Sequence, residues 1–148
     1  MQTRTRINAI RFTIWGNHEN IKGNPIGYTR VTQRSRWNRR ARRYEEWKDY
    51  VWLSLLQLGF VEIPRFENNE KVIVECMIYF TSKRRPDPGN VVKGIVDALA
   101  DKKIKLNDKV IETEKRLYPN DRNVIERVVD FDYSDQPRVE VMVRIKED

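Results

Sequence analysis

Apolar and polar residues alternate along the end of the chain, where Val139, Val141, Val143 and Ile145 predict a closing strand from Arg138 to Ile145 with one buried face. Lys71 to Phe80 is apolar on both faces apart from Glu75, the pattern of a strand covered on both sides. Ile7 to Trp15 predicts a first strand. After it, Gly16, Gly23, Asn24, Pro25 and Gly27 supply turn residues for a loop or hairpin reaching Tyr28 to Val31, a candidate to touch substrate. Trp37, Ala41, Tyr44, Val51, Leu55 and Leu58 fall at helical spacing, which predicts a long helix from about Ser35 to Leu58 ended by Gly59.

A second helix is marked by its start. Asp87 followed by Pro88 reads as an N-cap with proline at the first helical position, where a missing N–H costs nothing. Val91, Val92, Ile95, Val96 and Leu99 form its buried stripe, while Asn90, Lys93 and Asp97 take the polar face and the helix ends near Asp101. Asn107 and Asp108 open a further strand from Val110 to about Leu117, and Tyr118 to Pro137 carries no assignable pattern.

Composition narrows the class of protein. A chain of 148 residues, 39% hydrophobic with four Trp, six Tyr and five Phe, predicts one domain with a modest core. Its formal net charge of +7 points to a polyanionic partner, most simply nucleic acid. The lone cysteine, Cys76, excludes an internal disulfide, and with a lone histidine, His18, there are too few His and Cys ligands for a structural zinc; a reducing cytoplasm is expected. The most apolar run, Val51 to Val61, is short and broken by Ser54 and Gln57, so no membrane contact is expected.

Charge is concentrated. Arg34, Arg36, Arg39, Arg40, Arg42 and Arg43 place six arginines within ten residues with no acid among them, suited to neutralising phosphates. Lys83, Arg84 and Arg85 make a second patch beside Asp87. Contacts of this kind go to the backbone, so shape or branching is read rather than base sequence. Trp37 and Tyr44 interleave the arginine run, and their helical spacing assigns them to the core rather than to base stacking.

The stretch KRRPDPGNVVKGIVDAL, with Asp87, Asn90, Lys93 and Asp97-Ala98-Leu99, followed by Asp108 before a strand, resembles the signature of the RusA family of Holliday junction resolvases, D-x-D-N-x-x-K-x-x-x-D-A-L and then a pair of aspartates. The resemblance implies a small α+β fold, a mixed sheet with two main helices packed on it. It also implies a homodimer that cuts four-way DNA junctions with Mg²⁺ or Mn²⁺, without a small-molecule cofactor. Its carboxylates would hold the metal and its lysine would assist at the scissile phosphate. Two positions depart from the pattern: Gly89 stands where the family has its second aspartate, and Asn107 where it has the first of the later pair. Glycine offers no side-chain ligand, whereas asparagine keeps a neutral oxygen; fewer carboxylates predict a weaker site with water in the gap.

Phosphodiester hydrolysis needs an activated water and neutralised phosphoryl oxygens, which a carboxylate-bound divalent cation supplies. Asp87 and Asp108 are the expected ligands, since two convergent carboxylates repel unless a cation lies between them. Asn90 lies within one turn of the cap. Lys93 leans back toward a phosphate at the helix start and is placed to stabilise an oxyanion or to act as an acid. Asp97 lies about 15 Å further along the helix and cannot share that metal. Glu75, alone in its apolar strand, is the candidate substitute ligand, with Asn107 as a neutral one.

Structural readings stand beside these. Asp87 also serves as a cap, Asp108 as turn chemistry, Lys93 with Asp97 as an exposed i,i+4 pair worth under about 0.5 kcal/mol, His18 as a loop residue and Cys76 as inert core. Three functions follow: a junction endonuclease, a junction-binding relative that cuts weakly or not at all, and a basic RNA-binding or architectural module.

Overall fold

The alternating valines of the last strand do bury one face, and they do so at the centre of a sheet. The computed structural model describes residues 9–16, 23–32 and 35–147. Along them run β1 (Ala9–Trp15), α1 (Arg39–Leu56), β2 (Val72–Phe80), α2 (Pro88–Leu99), β3 (Lys102–Leu106), β4 (Lys109–Glu114), β5 (Val124–Tyr133) and β6 (Arg138–Ile145). Four strands form a mixed sheet in the order β1-β6-β2-β5: β6 runs antiparallel to both β1 and β2, and β5 is parallel to β2. With two helices beside it, this is the α+β arrangement expected.

Register explains the core. Phe12, Val141 and Cys76 lie side by side across three strands, flanked by Ile10, Val143 and Val74 and by Ile14, Val139 and Ile78. All nine are buried. Against this face pack Tyr44, Trp47, Val51 and Leu55 of α1 and Val91, Val92, Ile95, Val96 and Leu99 of α2, each contributing roughly 1.5–3 kcal/mol of apolar burial. The helices meet closely at Gly94, where a Cβ would stand 3.3 Å from the Tyr44 ring and from the Tyr28 backbone nitrogen. The opposite face of the sheet is mixed, with Arg11, Glu75, Glu140 and Arg144 beside Ile73, Met77, Tyr79 and Met142.

Several boundaries move. The first helix starts at Arg39 because Asn38 caps it, its Oδ1 accepting from the Ala41 N–H at 2.8 Å. Trp37 therefore lies before the helix and is 67% exposed, and Leu58 lies past its end, also exposed. Ala41, Tyr44, Val51 and Leu55 are buried as expected, and Trp47 and Trp52, which stand at the same three- and four-residue spacing from them, complete the stripe. Gly59, at φ 77°, does follow the helix as its terminator. Residues 23–32 are irregular rather than a hairpin. The second helix ends at Leu99, short of Asp101, and a strand not expected, β3, follows directly.

Asn107 and Asp108, at φ 50° and 65°, form the two-residue turn of a β3–β4 hairpin, the left-handed geometry such turns require. Leu117, expected at a strand end, is buried beyond β4. The unassigned segment contains β5, one of the two edge strands of the sheet. Its register slips between Cys76 and Met77 of β2, and along it the Asp130 and Asp132 carboxylates accept from the Phe131 and Tyr133 N–H groups at 2.8 Å each. Among the described residues, no helix is long and apolar enough to cross a membrane.

Candidate functional site

At the start of α2, Asp87 adopts the extended backbone of an N-cap, and its Oδ1 accepts from the Gly89 N–H at 2.8 Å. The loop before it is fastened by Asn24: its Oδ1 accepts from the Thr81 N–H at 2.6 Å and its Nδ2 donates to the Arg84 carbonyl at 2.8 Å. The next residues are fixed to the helix by Tyr28, whose N–H donates to the Asn90 carbonyl at 2.9 Å. These constraints leave a cleft of about 450 Å³ whose charged lining is Asp87 with Arg40, Arg43 and Arg84, beside Asn90. Three guanidiniums against one carboxylate, at a helix N-terminus, favour an anion, and phosphate fits the donors.

A neighbouring cleft of about 620 Å³ lies between α1 and the hairpin and holds Asp108 and Asp97. Tyr28 and Thr29 line both clefts and form the ridge between them. Asp108 accepts from Arg36 Nη1 at 2.9 Å. Asp97 pairs not with Lys93 but with α1, accepting from the Tyr44 hydroxyl at 2.7 Å with Lys48 Nζ at 3.5 Å. Burial first, then the Asp97 hydrogen bond, pushes the Tyr44 hydroxyl far above its ordinary range and keeps it protonated.

Below this, burial opposes ionisation of Asp49, yet hydrogen bonds from Lys102 at 2.9 Å and the buried Arg116 at 3.0 Å hold its carboxyl below the usual value. These pairs brace the base of the hairpin rather than a reaction.

The expected residues thus separate. Asp87 and Asn90 meet Arg40, Arg43 and Arg84 in the first cleft, whereas Asp108 lines the second and Asn107 forms the turn beside it. Lys93 Nζ sits 4.2 Å from the centre of the Tyr28 ring, on the ridge. Glu75 is corrected: it projects from the face of the sheet opposite the helices, where Arg144 reaches it at 2.7 Å and Arg127 at 3.9 Å, because cross-strand partners supply its counter-charge. Arg85 is drawn away as well, packed over Phe80 and Phe131 and donating to the Tyr133 hydroxyl. Arg39, Arg42 and Lys83 are exposed, while Arg34 and His18 lie outside the described residues. Cys76 is buried, and desolvation pushes its thiol up, out of reach of chemistry.

A divalent cation does not fit the donors as they stand. Among the described residues no three His, Cys, Asp or Glu side chains converge as a metal site would need, and Asp87 is the only acid of its cleft. Asn24 and Tyr28, which build that cleft, gave no sequence signal beyond a loop near turn residues.

No curated protein matches the chain. The family profile described as endodeoxyribonuclease RusA matches residues 22–144, a span that takes in both clefts, α2 and the hairpin. With most of its length covered, the chain belongs to the RusA endodeoxyribonuclease family.

Proposed function

We propose that the chain is a structure-selective endodeoxyribonuclease acting on four-way junctions or other branched DNA, with residues 1–148 working as one domain in the cytoplasm and two copies forming a homodimer. The observation that supports this reading is the first cleft, where Asp87 and Asn90 stand at a helix N-terminus among Arg40, Arg43 and Arg84. The arginines take phosphates on either side of a strand, and Asp87, whose carboxylate and carbonyl already occupy the first N–H groups of α2, faces the phosphate they hold. Lys93, from the ridge, brings a further cation to the same strand, and Arg36, Arg39 and Arg42 extend the backbone contact outward. Asp108 and Asn107 belong to the adjoining cleft and act at the hairpin tip.

The family resemblance implies Mg²⁺ or Mn²⁺, and the carboxylates do not form a site for it, so none of these roles is routed through a metal. That mismatch favours a second reading, a branched-DNA-binding relative that cuts weakly or not at all. Gly89 removes one acid, and Arg36 engages another, Asp108.

A labelled four-way junction, incubated with Mg²⁺ or Mn²⁺ and with the native protein or Asp87→Asn, tests both while binding is recorded on the same samples. Cleavage lost with Asp87→Asn is the result expected of the nuclease. Tight junction binding without cleavage selects the second reading, and equal affinity for junction and duplex overturns both.

A further inference from the structure

Trp37 is 67% exposed, although α1 nearby buries Trp47 and Trp52 almost completely. Leaving an indole in water forfeits the largest apolar burial any side chain offers. Nor is it on a loose tail. The Arg36 N–H donates to the Thr32 carbonyl at 2.9 Å, the Thr32 N–H to Ser35 Oγ at 2.8 Å and the Asn38 N–H to the Ser35 carbonyl at 2.9 Å, so the turn carrying the ring is bonded on both sides. The Arg36 guanidinium lies over the ring, 4.9 Å from its centre, and is itself held by Asp108. The guanidinium and the indole are thus in contact and held, with most of the indole open to solvent and exposed Arg39, Arg40, Arg42 and Arg43 following in sequence.

We propose that Trp37, backed by Arg36, is a stacking subsite for an unpaired nucleobase at the branch of the DNA, an inference that rests on the function proposed above. An aromatic face among cations matches a base flanked by its phosphates. A base inside an intact duplex presents no free face, so only one released from its stack can lie on the ring. Trp37 is accordingly a specificity-determining residue that recognises branching, and its link through Arg36 to Asp108 sets the unstacked base beside the hairpin tip.

The test uses the full chain with 2-aminopurine placed at the crossover of a four-way junction, within a duplex and in a single strand. Native protein should quench the probe in the junction and the single strand. Trp37→Ala should lose that quench and weaken binding to both by about tenfold, the value of one stacked base, with duplex affinity unchanged, while Trp37→Phe retains most of both effects. Equal losses on junction and duplex, or no loss on any substrate, would overturn the subsite. Native protein that fails to prefer the junction tells against the proposed function instead, and the single-strand arm still decides the role of Trp37.

Discussion

Replacing Asp101 by asparagine isolates one charge that ties the end of α2 to the rest of the fold. Its side chain is 9% exposed. Arg65 donates to its two oxygens at 2.8 and 2.9 Å, and the Arg116 N–H donates to it at 2.8 Å. Asparagine keeps the shape and one acceptor, but its amide N–H groups face an Arg65 donor. An exposed pair would contribute under about 1 kcal/mol, and hydrogen bonds to a charged group contribute about 1.5–3 kcal/mol. Arg65 is itself 24% exposed, which places the expected loss near the middle, about 2 kcal/mol.

The pH dependence has a definite sign. Burial opposes ionisation of Asp101, yet the bonds from Arg65 and Arg116 overcome it and hold the carboxyl below its ordinary 3.8. A group depressed in the folded state stabilises fully above its unfolded value and loses that contribution as pH falls through the folded one. Urea unfolding of both proteins should therefore show a constant gap from neutral pH down to about pH 5, shrinking below about pH 4. A gap under about 0.5 kcal/mol, or one unchanged in acid, would refute the assignment.

Other substitutions separate architecture from chemistry. Asp87→Asn should leave thermal stability nearly unchanged, because asparagine caps as well as aspartate, while abolishing junction cleavage; Asp87→Ala should additionally cost about 1 kcal/mol. Gly89→Asp supplies the missing acid, and since a Cβ there lies 3.0 Å from Asp87 Oδ1, the Asp87 carboxylate must give way slightly. Junction cleavage and Mn²⁺ binding by calorimetry should both rise, and no change in either would show that the absent carboxylate is not the deficit. Tyr44→Phe removes the buried hydroxyl that donates to Asp97 and should lower stability by about 1–2 kcal/mol in chemical denaturation, an outcome a solvated hydroxyl would not produce.

The second helix was readable because its signals are local: a cap, a proline and a stripe lie within one element, and all five stripe residues are buried. The sheet strands β2 and β6 were readable from composition and alternation. By contrast, β5 pairs with a strand some fifty residues earlier and carries exposed side chains, so its identity depends on a partner that periodicity does not reveal. The β3–β4 hairpin is exposed on most positions and lacks a buried stripe. In the site, residue types were legible but their grouping was not. Asp87 and Asp108 sit in separate clefts because the segment around Tyr28 crosses between them, and Glu75 turned outward because strand pairing, not sequence, sets its face.

The two aspartates along β5 bear on how that edge of the sheet meets another chain. An exposed outermost strand is ordinarily a seed for fibrous assembly, since its free amide groups accept another chain. Here Asp130 and Asp132 occupy the amides of Phe131 and Tyr133, and the register slip nearby kinks the strand that an incoming chain would have to follow. Their negative charge also repels a second copy aligned on the same stretch. Along Phe131 to Tyr133, this edge is therefore a poor template for a second copy.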